Sequence, residues 1–370
     1  MPTCVNMIGS LPPPKSGMPF VTLRMVELVR GRFQHTNVID VSAGSLSRRS
    51  VRYHALRLFR NIRACVELLR HRRHEGRTLY LAISGSLGLA YDLMFLVTAR
   101  CFGFNMIVHH HSYVYIDQDS VLMRACTVVA GPDAVHLFLS EDTADSFQGR
   151  YPRVRRRLVL PNTFVLESFQ SAYQPVKSRT RELRIGLLSN LSCDKGLEAF
   201  VETGERAVSE GLNVTSVLAG PLAGPRERAI VDRALERTGE RLRYIGPVYG
   251  QDKENFYRDI DVFVFPTAHK DEAQSLVVLE ALASGVPVIS YERGCIGSML
   301  ADGGVTVPVD DNFIEIALTH LKRLHDNRRL LEDMSRCARE RFEVMRGTQD
   351  RALREVFRVL SESSQGAVRR

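Results

Sequence analysis

The stretch Val262–Ser290, "VFVFPTAHKDEAQSLVVLEALASGVPVIS", contains a complete strand–loop–helix–strand unit. Val262–Phe265 is a short, unbroken run of β-branched and aromatic residues, and Val286–Ser290 is a second apolar run. Strands that are apolar at nearly every position are covered on both faces. Between them Leu276–Ala283 is apolar around its whole circumference, which marks a buried helix, and Gly285 stands where a helix ends. A buried strand, helix and strand in series build a parallel α/β sheet. One residue breaks the pattern. Glu280 sits inside the apolar helix, and a second carboxylate, Glu272, precedes it by eight positions. A buried carboxylate left unpaired is costly. Glu280 therefore requires a partner: an internal Arg or Lys, backbone amides, or a ligand.

The same alternation extends across the chain. Strands are predicted near Cys4–Ile8, Val38–Ser42, Leu79–Ser84, Asn105–His111, Val135–Ser140 and Leu158–Leu160. A second series falls near Leu183–Ser189, Val214–Ala219, Leu242–Ile245, Val262–Phe265, Val286–Ser290 and Val305–Val307, the last ended by Pro308. Two series of six, joined by the polar segment "SFQSAYQPVKSRTRE" (Ser168–Glu182), predict an α/β protein of two Rossmann-like domains whose parallel sheets face a common cleft. The domains are placed at 1–165 and 183–345, with a linker at 166–182. Asn327–Leu360 reads as a charged helix with no strand to accompany, and its end, 346–370, is expected to pack back on the first domain. In open sheets of this kind ligands bind beyond the C-terminal strand ends.

Length and composition agree with that organisation. The chain has 370 residues, 44% hydrophobic and 25% charged, which suits two soluble domains. Seven scattered cysteines with no close pair argue for a reducing compartment and against a zinc ribbon. The start, "MPTCVNMIGSLPPPKSG", has no basic leader followed by a long apolar run. The apolar region Leu79–Val108 is interrupted by Asp92 and Arg100, short of the roughly 20 residues a spanning helix needs. A cytoplasmic protein is expected. Charge is uneven: residues 1–165 carry 21 Lys+Arg against 11 Asp+Glu, and the remainder 29 against 31. The basic stretches, Ser45–Arg77 and Gly149–Leu158, read either as solvated helix faces or as a docking face for anionic lipid or nucleic acid. The lipid reading puts the protein at the inner face of the cytoplasmic membrane.

The N-terminus of the buried helix, near Gln274–Ser275, offers free N–H groups and a positive dipole end, a seat for phosphate. Glu280 lies five residues further, about 7.5 Å along the axis. Carboxylates on either side of an anion seat suit a ligand with hydroxyls at both ends and phosphates between, such as a sugar nucleotide. Glu272-x7-Glu280, followed by Ala281 and "GVPV", resembles the signature of the family 4 retaining glycosyltransferases, which have the GT-B fold. Further stretches resemble landmarks of that family in the same order: "LPPPKSGM" (Leu11–Met18), "IVHHHS" (Ile107–Ser112), "LVLPN" (Leu158–Asn162), "LLSNLSCDKG" (Leu187–Gly196) and "RYIGPV" (Arg243–Val248).

The resemblance implies roles. Lys195 would contact the donor pyrophosphate as a point charge. Asn190 stands five residues earlier, where family members often carry an Arg. Amides of Gln274, Ser275 and Leu276 would hold the phosphates, with Ala273 and Ser275 at positions the family often gives to glycine. Glu280 would bind the ribose hydroxyls and Glu272 the transferred sugar. Gly246 would lie in the loop on the base side, and Gly17, in the first-domain loop, would admit the donor phosphates. His109 and His111 point to one face of their strand and His110 to the other. The resemblance puts a histidine over the reacting sugar, and His111 is favoured, with His109 second. Ser84 and Gly85 would shape the acceptor pocket. No Asp-Cys-His spacing completes a zinc site around the histidines, and neither metal nor cofactor is expected beyond the sugar nucleotide as co-substrate.

The implied function is transfer of a hexose from a UDP- or GDP-sugar to a hydroxyl of a growing, lipid-linked glycan, with retention and without a metal. Two other classes remain open from the residues. One is a transferase acting on DNA or another polyanionic acceptor, or a basic nucleic-acid-binding protein without activity; the basic stretches, however, lack interleaved aromatics and any recognised motif. The other is a relative that epimerises or hydrolyses its sugar nucleotide.

Overall fold

The computed structural model describes residues 4–13, 17–42, 51–73, 77–166 and 182–362. Nearly all of the linker expected at 166–182 lies outside them. So do Pro14, Lys15 and Ser16 of the first loop, residues 43–50 and 74–76 of the basic stretch, and 363–370 of the C-terminal segment. The chain divides into two compact units, Met1–Val165 with Thr348–Arg370, and Leu166–Gly347.

Unit 1 alternates strands and helices: β1 (Cys4–Gly9), α1 (Gly17–Arg30), β2 (His35–Asp40), α2 (Val51–Arg70), β3 (Arg77–Ile83), α3 (Leu89–Cys101), β4 (Asn105–His110), α4 (Val114–Asp117), α5 (Val121–Ala130), β5 (Val135–Phe138), α6 (Glu141–Arg150) and β6 (Arg156–Val159). All its strand pairs are parallel, in the order β2-β1-β3-β4-β5-β6. Unit 2 continues with β7 (Leu183–Leu188), α7 (Leu197–Ser209), β8 (Val214–Ala219), α8 (Pro225–Thr238), β9 (Leu242–Tyr244), α9 (Gln251–Asp259), β10 (Val262–Phe265), α10 (Leu276–Ala283), β11 (Val288–Tyr291), α11 (Ile296–Leu300), β12 (Gly304–Val307), α12 (Phe313–Asp326) and α13 (Arg328–Glu362). Its parallel order is β12-β11-β10-β7-β8-β9. The order reverses between β7 and β10, and such a switch point opens a crevice at the C-terminal strand ends.

Each strand lies where an apolar run predicts it, with shifts at the ends. β2 starts at His35 and stops at Asp40, whereas the sequence suggests Val38–Ser42. Asp40 ends it by accepting from the amides of Ser42 (2.8 Å) and Leu11 (3.1 Å). β11 begins only at Val288, because Pro287 has no N–H, although its carbonyl accepts from Phe263 at 2.9 Å. Gly17 is not a loop residue: it is the first residue of α1, where Pro19 in the opening turn needs no intrahelical donor. α13 belongs to unit 2 up to Gly347 and to unit 1 from Thr348, where Phe357 packs on Phe33 with ring centroids 6.3 Å apart. Among the described residues no helix is long and apolar enough to cross a membrane.

The sheet of unit 2 admits α9 at a position without a side chain. A Cβ on Gly186 of β7 would lie 2.7 Å from Ile260 Cδ1 and 2.8 Å from Phe256 Cζ. Gly186→Ala should therefore lower stability by about 1–3 kcal/mol through overpacking. A urea melt should show a lower midpoint at unchanged slope; an unchanged midpoint would mean α9 is not seated there.

Candidate active site

The loops that leave β7 and β10 run side by side because those strands are neighbours. Their approach is very close. Gly196 has φ +87°, and a Cβ there would lie 2.3 Å from the carbonyl oxygen of Pro266. Any side chain would thus meet backbone in addition to left-handed strain. The Ala268 amide donates to the Asp194 carbonyl at 3.0 Å and completes the junction. Ser192 caps the single turn before Gly196, its Oγ accepting from the Lys195 amide at 3.3 Å. Lys195 is thereby aimed at Glu272, and their side chains form an ion pair with 24% and 10% of their surface exposed. Thr267 Oγ1 also reaches Glu272 Oε2, at 3.5 Å. On the far side the Cys295 amide donates to the Ala273 carbonyl at 2.7 Å, so the turn Glu292–Gly297 braces the segment carrying Glu272.

Gln274 and Ser275 are buried directly before α10, and Leu276 and Val277 are half-buried at its start. Ser275 is the N-cap but its hydroxyl caps nothing. Among the described residues, the first amides of α10 have no intrahelical acceptor and receive none from the Ser275 side chain. Gly246 follows β9 and its carbonyl accepts from the Gly220 amide at 2.8 Å; Asn190 is exposed after β7.

Glu280 is 3% exposed, but it does not wait unpaired for a ligand. Lys253 donates to Oε1 and the Tyr257 hydroxyl to Oε2 at 3.0 Å, both from α9. The internal lysine allowed by the sequence as an alternative is present. Burial pushes the Glu280 carboxyl above its usual range, while the ammonium and the phenol pull it back.

In unit 1, β4 delivers the histidines. His109 and His111 share one face, ring centroids 3.9 Å apart, and Tyr80 bonds His109 Nδ1. His110 faces the other way, engaged by Tyr115 OH (3.1 Å) and His136 (2.9 Å) and stacked on Phe138 at 4.6 Å. Among the described residues, the buried Nε2 atoms of His109 and His111 meet no hydrogen-bond partner. Burial holds all of these imidazoles low, His111 and His136 at about 4. Ser84 is fixed after β3 by Asp92, whose Oδ2 accepts from its amide at 2.7 Å, and Gly85 precedes a short turn into α3. Burial raises Asp92 to about 7 despite those bonds and nearby Arg57. Gly17 is exposed at the head of α1 with open space beside it. Among the described residues no group of three or more His, Cys, Asp or Glu side chains is arranged to hold a metal ion.

Residues 182–326 match the family Glycosyl transferases group 1, a span that takes in all six strands of unit 2. Over that span unit 2 is similar to the group 1 glycosyl transferases. Its sequence relatives include sulfoquinovosyl transferase SQD2 of Arabidopsis thaliana, 30% identical over 174 residues, 45% of this chain and 33% of that protein. A D-inositol 3-phosphate glycosyltransferase of Saccharomonospora viridis is 30% identical over 188 residues, 49% of this chain and 40% of that protein. The matches therefore span less than half of these relatives. Anabaena HepE, solved in complex with UDP, superposes with a TM-score of 0.69 at 13% identity, covering 96% of this chain and 99% of that one. The fold is GT-B.

Within unit 2, the residues picked out by the sequence that come together are Lys195, Glu272, Gln274, Ser275 and Leu276. Glu280 lies further along α10, and Gly246 and Asn190 lie at other strand ends of the same sheet. Lys253, Tyr257 and Thr267 went unrecognised, as did Tyr80, Asp92 and His136 in unit 1. The one signal available was the four-residue spacing of Lys253 and Tyr257, which puts both on one helix face.

The dry histidines make unit 1 acid-sensitive. Their folded values lie below the ordinary 6.5, so the stability they confer is complete above that pH and lost as pH falls through the folded values, near 4 for His111 and His136. The thermal midpoint should drop between pH 7 and pH 5, and His136→Phe should drop less over the same interval. Equal pH dependence would show that His136 does not titrate in this way.

Proposed function

We propose that the chain transfers a hexosyl group from a UDP- or GDP-sugar to a hydroxyl of a glycan acceptor, with retention and without a metal. The observation that carries this reading is the Lys195–Glu272 pair set beside the uncapped N-terminus of α10. As the glycosidic bond breaks, negative charge grows on the departing diphosphate. An ammonium and helix amides in a half-dry site stabilise that charge without rearranging. A diphosphate outcompetes one carboxylate for Lys195 and frees Glu272 to accept from hydroxyls of the sugar. Gly246 and Glu280 serve the nucleoside, while His111, His109, Ser84 and Gly85 serve the acceptor side. Retention is carried by the Glu272-x7-Glu280 resemblance, and UDP is favoured by HepE, which was solved with it.

Glu272→Ala should cut transfer from UDP-glucose, or from the most active sugar in a UDP/GDP panel, by at least about 100-fold, with the melting temperature kept within a few degrees. Lys195→Met should do the same and also weaken UDP binding. Full transfer by Glu272→Ala would sink the assignment.

A lipid-linked acceptor and peripheral attachment are supported by α2. On a solvated helix the outward face is polar, yet Leu58, Phe59, Ile62 and Val66 are exposed here, Phe59 by 62%. They fall within about 100° around the axis, next to exposed Arg52, Arg63 and Arg70. Leu87, in the turn after Gly85, is 81% exposed. An apolar stripe edged by arginine fits an anionic bilayer surface. Co-sedimentation with vesicles containing phosphatidylglycerol at low salt should fall at least about fivefold in a Phe59→Ser, Ile62→Ser variant. Equal sedimentation would remove the surface.

A further inference from the structure

We infer that Lys253 and Tyr257 are positioning residues that hold Glu280 as an oriented carboxylate, with two acceptor directions left for the vicinal hydroxyls of the donor's ribose. The inference rests on the reading that Glu280 serves the nucleoside.

α10 is apolar on every side, and burial at its middle favours the neutral form of the carboxyl. The donors that meet it come from one face of α9, one turn apart. Tyr257 alone cannot decide the charge. Its hydroxyl oxygen stands 3.0 Å from two acceptors, Glu280 Oε2 and the Val277 carbonyl, and carries a single proton. When the phenol donates to Val277, a protonated Glu280 can donate to the phenol oxygen; when it donates to Glu280, the carboxylate is served. Both states satisfy the tyrosine. Lys253 breaks the tie through its charge: Oε1 accepts from the ammonium in either state, but a full positive charge beside it favours the ionised carboxylate over the neutral acid.

An ionised carboxylate offers about four lone-pair directions. Lys253 and Tyr257 take two, and the other two suit a cis-diol. Of the pair, Lys253 is the side chain nearer to solvent, 26% exposed against 4% for Glu280. Among the described residues the groups that act on the Glu280 charge are Lys253 and Tyr257. From α13, packed against the end of α10, Arg339 binds the Ala283 carbonyl and pairs with Glu343.

Removing Lys253 leaves burial as the dominant influence and raises the Glu280 carboxyl further. Its ionised fraction, and any binding that needs it, is then lost as pH falls through that higher value. UDP binding measured by calorimetry from pH 5.5 to 8.5 tests this. Glu280→Gln supplies the reference, because the titration of UDP's own phosphate is common to all variants. Relative to that reference, Lys253→Met should lose affinity by about tenfold for each pH unit below its raised midpoint. Lys253→Arg should keep the wild-type profile. Tyr257→Phe, one oxygen smaller, should shift the midpoint in the same direction by less, and it carries the test if Lys253→Met fails to fold. A wild-type pH profile in Lys253→Met or, failing that variant, in Tyr257→Phe overturns the inference. Undiminished UDP affinity in Glu280→Gln instead overturns the nucleoside role of Glu280.

Discussion

The geometry of unit 2 rests on a contact between two stretches of backbone. Gly196 lies against the Pro266 carbonyl so closely that no other residue fits, and this contact brings together side chains 77 positions apart, Lys195 and Glu272. Exposed ion pairs contribute little. This one is largely withdrawn from water, so removing either partner leaves the other partly desolvated and unmatched. The two charges keep the pocket neutral at rest and ready for a ligand with opposite charges to offer each. The helix that starts beside them adds oriented amides that need no rearrangement. The ends of β7 and β10 supply these groups because the strand order reverses between them.

Most of the fold was legible because strands covered on both faces are apolar throughout. The error at β2 has the same origin. "HTNVID" is an edge strand, exposed or half-buried at five of its six positions, so no continuous apolar run marks its start. Its extent is set by pairing with β1, which a sequence read in isolation does not display. The candidate site was legible residue by residue but not pair by pair. The sequence presents Lys195 and Glu272 as separate contacts to a ligand, since nothing local says that β7 and β10 are neighbours. For Glu280 the sequence demanded a partner and allowed an internal lysine. That Lys253 and Tyr257 supply it depends on α9 packing against α10, a consequence of sheet order.

Unit 1 divides along the same line. Period-two alternation assigned His109 and His111 to one face and His110 to the other, and their contacts agree. Burial of His109 and His110 follows from the central place of β4, with β3 on one side and β5 on the other, while His111, just past its end, is half-buried. The arginines of α2 stood out in the sequence, whereas its outward apolar stripe did not. The inner face is apolar too, through Ala64 and Leu68, and only the packed structure separates one greasy face from the other.

The shared ownership of α13 has a consequence for synthesis. Unit 2 is a continuous run of chain, and all of it emerges before unit 1 is complete. Unit 1 lacks its closing piece, including Phe357 against Phe33, until the last turns of that helix leave the ribosome. The half made first is therefore finished only after unit 2 has emerged, and the surface that the end of α13 covers stays open until then.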